Sequence, residues 1–340
     1  MKHLPSHTPL ASSFSGLSLR RSRMNPWIRE LTREFRVSPK QLIQPLFVAQ
    51  GIADREVIPG LTGVHRETET SLLQQVEADL EAGVHQFLLF GVPGKKAAHS
   101  FDSSFTARQV EAIKSRFGKD VFLSVDVCLC SSTESGQCGI LSPEGDHVLN
   151  GATVEALAAQ ALSFAQAGAD CVAPSDMMDG RIGAIRSALD ESGLERALVM
   201  SYAAKFHSRF YGPFRVAADS APKGESALKD RATYQIDPGC PRDALASALR
   251  DAEEGADILM VKPGLPYLDV LSRLSQEIPT HPWAVYEVSG EFAAIELMAE
   301  KGLVDAPRAH VESWTAFVRA GAQMIITYGA RSAAEWLRHG

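Results

Sequence analysis

Glu254-Gly255-Ala256-Asp257-Ile258-Leu259-Met260-Val261-Lys262-Pro263-Gly264 is the stretch that decides the fold. A helix-like segment, Arg242 to Glu254, leads into a glycine, where a left-handed cap would tolerate no Cβ. The run that follows is apolar on both faces, as a strand covered on both sides must be. The same punctuation recurs as Ala82-Gly83-Val84 before Gln86 to Phe90, and as Ala167-Gly168-Ala169-Asp170 before Cys171 to Ala173. It returns as Ala320-Gly321-Ala322 before Met324 to Tyr328. Between these runs lie four further candidate strands, Pro45 to Val48, Val121 to Val127, Leu198 to Tyr202 and Trp283 to Val288. Helix-sized segments, among them Leu72 to Glu81, Val154 to Ala167 and His310 to Ala320, separate most of them. Eight strands alternating with helices predict an α/β fold, a (β/α)8 TIM barrel. A doubly wound open sheet is the alternative, but no Gly-x-Gly-x-x-Gly follows a strand.

Composition sets the outer bounds. The 340 residues carry 34 Lys+Arg and 41 Asp+Glu, a formal net charge of −7, with 45% hydrophobic and 22% charged residues. That is a globular balance. The acidic excess argues against nucleic acid as a partner, which would require a basic face, and no stretch approaches the roughly 18 apolar residues of a membrane span. Five cysteines are too few for a secreted disulfide framework, which points to a reducing, cytoplasmic location. Residues 1–29 lack Asp and Glu and carry five Lys or Arg. A transit peptide can look like this, but with no cleavage-like boundary before Trp27 an ordered arm is expected. The expected division is an N-terminal arm, 1–36, and a barrel, 37–340. The segment from Arg29 to Phe35 reads as helical and packed on another subunit.

A barrel places its chemistry at the carboxyl ends of its strands. There the sequence sets Asp126 and Cys128, Ser175-Asp176, Tyr202 and Lys205, Lys262, Ser289 and Tyr328. Cys128, Cys130 and Cys138 put three thiols within eleven residues of a strand-end loop. Three such ligands leave a zinc ion a fourth position for water or substrate, whereas a structural site would recruit four. Lys262 ends a buried strand, where desolvation favours the neutral amine, the nucleophile that forms a Schiff base. Lys205, on the neighbouring strand, would depress the Lys262 pKa further. The connection of about 207–237 reads as a lid and carries Arg209, Arg215 and Arg231, whose planar forks suit a carboxylate. Asp176, Asp179 and Arg181 fit substrate contacts or an ion-paired loop equally well. The ten histidines show no metal-ligand spacing.

The strings Asp126-Val-Cys-Leu-Cys130 through Gly136-Gln-Cys138-Gly139, Ala173-Pro-Ser-Asp-Met-Met-Asp-Gly-Arg181, Lys205-Phe with Tyr211-Gly-Pro-Phe-Arg215, Met260-Val-Lys-Pro-Gly-Leu-Pro-Tyr267 and Val288-Ser-Gly-Glu291 together resemble the porphobilinogen synthase (5-aminolevulinate dehydratase) family. The resemblance runs from about Leu19 to the C-terminus. It implies a lyase that joins two 5-aminolevulinate molecules into porphobilinogen for tetrapyrrole synthesis. It also implies an N-terminal arm wrapping a neighbouring subunit, in a homo-octamer or a hexamer. Carried over by motif, Lys205 and Lys262 would be the Schiff-base lysines, and Cys128, Cys130 and Cys138 the ligands of a catalytic Zn2+. Arg215 and Arg231 would hold one substrate carboxylate, Ser289 and Tyr328 the other, and Asp126 would move a proton near the metal. Plant-type members carry aspartates at the cysteine positions. Many bacterial members bind an activating Mg2+ through a glutamate where this chain has Ser247, so such an allosteric Mg2+ is not expected. The rival readings are a class I aldolase, which needs one lysine and no metal, and a non-catalytic assembly protein stabilised by zinc.

Overall fold

The computed structural model describes residues 20–222 and 228–338. Expectations for the first nineteen residues and for 223–227 fall outside them. By their contacts the chain divides into two units between Arg36 and Val37. In the first, the Asn25 side chain caps the helix Pro26–Leu31 by accepting the Trp27 N–H at 2.8 Å, and proline at the first turn gives up no needed donor. The helix stops before Phe35, earlier than expected. Arg36 reaches back to the Glu30 and Arg33 carbonyls, at 2.6 and 3.1 Å, and so satisfies groups that a longer helix would have bonded.

In the second unit, eight parallel strands follow one another in chain order: β1 Leu42–Ala49, β2 Gln86–Val92, β3 Phe122–Val127, β4 Cys171–Pro174, β5 Leu198–Lys205, β6 Ile258–Lys262, β7 Trp283–Tyr286 and β8 Met324–Ile326. Pairing of Leu42 with Ile325 and of Ile43 with Ile326 closes the sheet. Outside it run α1 Glu69–Glu81, α2 Ser104–Phe117, α3 Asn150–Gln166, α4 Arg181–Glu191, α5 Pro241–Glu253 and α6 Leu268–Glu277, and then α7 Ser289–Glu300 and α8 Ala306–Arg319, both between β7 and β8. This is a (β/α)8 barrel. No described helix is long and apolar enough to cross a membrane.

The four glycine signals share one geometry. Gly83, Gly168, Gly255 and Gly321 have φ between 88° and 112°, which a Cβ would strain. The N–H of the next residue in each case reaches the carbonyl five positions back, as in Ala256 N to Asp251 O at 3.0 Å and Ala322 N to Phe317 O at 3.1 Å. That is the Schellman ending of a helix. Two residues beyond the glycine, the Asp170, Asp257 and Gln323 side chains each accept a backbone N–H at the start of the preceding strand, from Leu123, Val199 and Trp283, all at 2.7 Å. The motif thus ends a helix and sets the register of the adjacent strand.

Strand residues alternate between two cores. On β6, Ile258 and Met260 point into the barrel with Phe47, Phe90, Tyr202, Tyr286 and Tyr328, while Leu259 and Val261 pack beneath the helices. Filling the lower barrel leaves its upper mouth to the polar strand ends.

Candidate active site

Alternation carries Lys262 into the barrel one step after Val261. Lys205 lies beside it in register, but by simple alternation it should not share a face with Tyr202. An irregularity between Ser201 and Ala204 in the pairing of β5 with β6 resets the phase. Ala203 and Ala204 consequently both pack outward, and the Lys205 amine stands 5.6 Å from the centre of the Tyr202 ring. Both lysines are buried. The Lys262 amine lies 4.0 Å from the centre of the Tyr286 ring, 4.8 Å from Phe214, 5.0 Å from Tyr202 and 5.6 Å from Tyr211. Burial, and then the Lys205 charge, hold its pKa well below the usual lysine range. Lys205 donates to the Ser175 carbonyl at the end of β4. Asp126, ending β3, has its Oδ1 shut from solvent without a partner. Burial pushes this carboxyl up to about 6, against the opposing pull of Lys205, the Ser175 hydroxyl and Lys262.

The loop after β3 folds back so that the Cys128, Cys130 and Cys138 sulfurs all lie within 4.8 Å of one another, all buried. Protein contacts hold it there. Tyr234 Oη accepts the Cys138 N–H at 3.1 Å and donates to Gln137 Oε1 at 2.6 Å, and Arg231 Nη2 donates to the Gly136 carbonyl at 2.9 Å. Hydrogen bonds from Cys128 and Cys130 hold the Cys138 thiol well below its ordinary range, with Arg231 and Lys205 adding positive charge. The remaining cysteines lie apart: Cys171 inside the barrel and Cys240 exposed.

The connection after β5, expected to be a lid, contains the helix Gly212–Ala217. It is fastened to the strand-end loops where Lys96 meets the Asp219 carboxylate at 2.9 Å, and where the Ser131 hydroxyl donates to the Ala218 carbonyl at 2.9 Å. Here Arg231 is buried and Arg215 half-buried. Burial and the Arg231 charge lower the Arg215 pKa. Both Nε atoms lack a hydrogen-bond partner, as do both amide atoms of the buried Gln235. Guanidinium N–H groups left without a partner are of the kind that suits an anion. Ser289 opens α7 and takes the Phe214 N–H on its hydroxyl at 3.0 Å, and the Tyr328 hydroxyl lies 3.3 Å from that of Tyr286.

The aromatic enclosure of Lys262, the Ser175 carbonyl and Gln235 escaped the sequence reading. Only the Tyr211-Gly-Pro-Phe214 string had hinted at the first. Asp176 and Arg181 prove to be structural: Arg181 is fully buried and bridges Asp176 at 3.6 Å and Asp251 at 3.0 Å, while Asp179 pairs with Arg250.

Buried amines and clustered thiols at the carboxyl ends of the strands define a class, a (β/α)8-barrel enzyme able to attack a carbonyl. Residues 17–336 match the model of the Delta-aminolevulinic acid dehydratase family, and the chain belongs to that family. It is 39% identical over 324 residues to the Delta-aminolevulinic acid dehydratase of Bacillus subtilis, covering 94% of this chain and 97% of the relative. The enzyme of the same name from Streptomyces coelicolor is 42% identical over 332 residues, covering 96% and 98%. Among solved structures, the porphobilinogen synthase of Toxoplasma gondii in complex with its reaction product porphobilinogen superposes with a TM-score of 0.89 at 39% identity, covering 96% of this chain and 92% of that one.

Proposed function

We propose that Lys205 and Lys262 each hold, as a Schiff base, one of the two 5-aminolevulinate molecules that this lyase condenses into porphobilinogen. The observation that carries the assignment is the pair of buried amines in register on β5 and β6. Each amine attacks a ketone and expels one water. Both amines are released as the new carbon–carbon and carbon–nitrogen bonds form, and protons leave carbon to aromatise the ring. The balance is two waters lost and two lysines regenerated. A class I aldolase would leave the second lysine and the thiols unexplained.

The depressed pKa keeps Lys262 neutral and nucleophilic, and the rings around it exclude the water that would hydrolyse an imine. Arg215 and Arg231, each with an unpartnered Nε, hold the carboxylate of the molecule on Lys205. Ser289 and Tyr328 hold the carboxylate of the molecule on Lys262. Asp126, which feels the charges of Lys205, Lys262 and Cys138, would move a proton.

The three thiols fit zinc: they are soft donors, close together, buried, and three rather than four. Cys128, Cys130 and Cys138 would hold the ion. When bound, Zn2+ supplies a Lewis acid and a template for substrate or water. The position of an allosteric Mg2+ ligand is occupied by Ser247, whose hydroxyl accepts from Arg250 at 3.2 Å. The Arg250 guanidinium pairs there with Asp179, Asp251 and Glu254, so the locality already has its cation. Millimolar Mg2+ added to zinc-saturated protein should leave the rate unchanged, and several-fold activation would contradict this. The exposed Met24, Trp27 and Leu31 of the arm suit burial in a homo-octamer, a mass that light scattering reads directly. Five unpaired cysteines suit the cytoplasm.

The charge coupling offers a test on pH. Lys205→Met removes a positive charge that depresses the Lys262 pKa, so that pKa should rise by roughly a unit. Neutral Lys262 then appears only at higher pH. Borohydride trapping of 5-aminolevulinate on Lys262, followed against pH, should show its acid limb displaced upward. An unmoved limb would mean that the two amines do not sense each other.

A further inference from the structure

Glu287 and Glu291 stand two residues either side of Ser289, and the chemistry above uses neither. They are 0% and 3% exposed. Buried carboxyl groups are costly unless their lone pairs are answered; both find partners here, although burial still pushes Glu291 up to about 8. Glu291, in the first turn of α7, accepts the Val288 N–H at 2.6 Å and the Gly264 N–H at 3.3 Å on Oε2, and the Leu265 N–H at 2.5 Å on Oε1. Gly264 and Leu265 lie in the turn that leaves β6, separated from Lys262 by Pro263 alone.

Glu287 faces the other way. Its Oε2 accepts from the Thr327 hydroxyl at 2.5 Å and the Trp314 indole N–H at 3.0 Å, and its Oε1 meets His310 Nδ1 at 3.2 Å. Thr327 immediately precedes Tyr328, and its hydroxyl also receives the Gly329 N–H at 3.1 Å. The second nitrogen of His310 is answered by Glu296 at 3.1 Å. Between the two carboxylates, Gly290 donates to the Phe210 carbonyl at 2.8 Å, and a Cβ there would lie 2.6 Å from that oxygen. The turn is therefore gripped on three sides.

We propose that Glu287 and Glu291 are positioning residues for one of the two substrate molecules. They tie the ends of β6, β7 and β8 into one frame and so fix the span from the Lys262 amine to the Ser289 and Tyr328 hydroxyls. This rests on the assignment of those three residues to a single 5-aminolevulinate. A five-carbon acid held at both ends is a ruler, and an ångström of misplacement can cost about 10²-fold in rate. The molecule on Lys205 is anchored by Arg215 and Arg231, whose side chains neither carboxylate bonds; the turn meets their segment through the Phe210 and Phe214 backbone alone, so the frame should act far more on the substrate at Lys262 than on the other.

Two variants test this. Glu291→Gln turns an amide N–H toward backbone N–H groups, and Thr327→Val removes the tie to Glu287 while keeping the side-chain shape. Each is incubated with sub-saturating 5-aminolevulinate, reduced with borohydride and mapped by peptide mass. Labelling at Lys262 should fall about tenfold while labelling at Lys205 stays within twofold, and Thr327→Ser should restore the wild-type ratio. Equal loss at both lysines, or no change at Lys262, overturns the proposal. Should Glu291→Gln fail to fold, the near-isosteric Thr327→Val decides alone. If wild-type protein takes no label at Lys262, the assignment in the preceding section falls, and this inference with it. A labelled wild type with unselective variants overturns this inference only.

Discussion

Lys262→Ala should lower turnover by on the order of 10⁴-fold or more, the scale on which loss of a covalent nucleophile registers, while the barrel stays folded. The two effects separate because the buried amine is an electrostatic liability to the fold. Among the described residues no anion is hydrogen-bonded to it, and the rings of Tyr202, Tyr211, Phe214 and Tyr286 surround it. Removing it relieves a desolvation cost and opens a small cavity, so stability should move by no more than about 2 kcal/mol. The readouts are pyrrole formation from 5-aminolevulinate and the midpoint of thermal unfolding. A variant that makes product at the wild-type rate would sink the two-lysine mechanism. One that unfolds would show the lysine to be structural.

Cys130→Ala, or chelation of the wild-type protein, should cost on the order of 10²–10³-fold in rate, as when one preorganised electrostatic contributor to a transition state is lost. Only two of the clustered thiols, Cys128 and Cys138, remain in the variant, too few to hold zinc at the barrel mouth, so bound metal should fall with activity. The fold should stay cooperative, because the loop has protein anchors of its own in the contacts of Tyr234, Gln137 and Arg231. Zinc added back should restore the chelated wild type and leave the rate of Cys130→Ala where it was. Full activity after chelation would remove the metal from the mechanism. Unfolding on chelation would instead make it a structural ion.

The barrel was legible because each of four units writes its geometry locally. A glycine ends the helix in a left-handed turn, and in three of the four a polar residue two places on holds the neighbouring strand. Lys262 was legible for the same reason, since alternation along Ile258–Val261 delivers it inward. Lys205 could be suspected from its neighbours, but the irregularity after Ser201 that turns it inward leaves no trace in the sequence. Long-range partners were hidden. The arginines of the connection could be matched to a carboxylate in kind, but the approach of Arg231 to Arg215 depends on the folded path of the chain. Arg181 finds Asp251 seventy residues away, so its sequence neighbours could not choose between substrate contact and ion pair. Glu287 drew no notice in the sequence and Glu291 only as part of the Val288-Ser-Gly-Glu291 string, because their partners come from other elements. The small hairpin Glu56–Val57 with His65–Glu67, which extends the sheet beside β1, was also missed. Its strands are too short and too charged to carry a period of two.

The central claim is that each lysine carries one substrate. Its most direct test is to reduce wild-type protein with borohydride in the presence of 5-aminolevulinate and to map the adducts by peptide mass. The account predicts adducts on Lys262 and on Lys205, and on no other lysine. Adducts confined to one of the two, or found elsewhere, would contradict it.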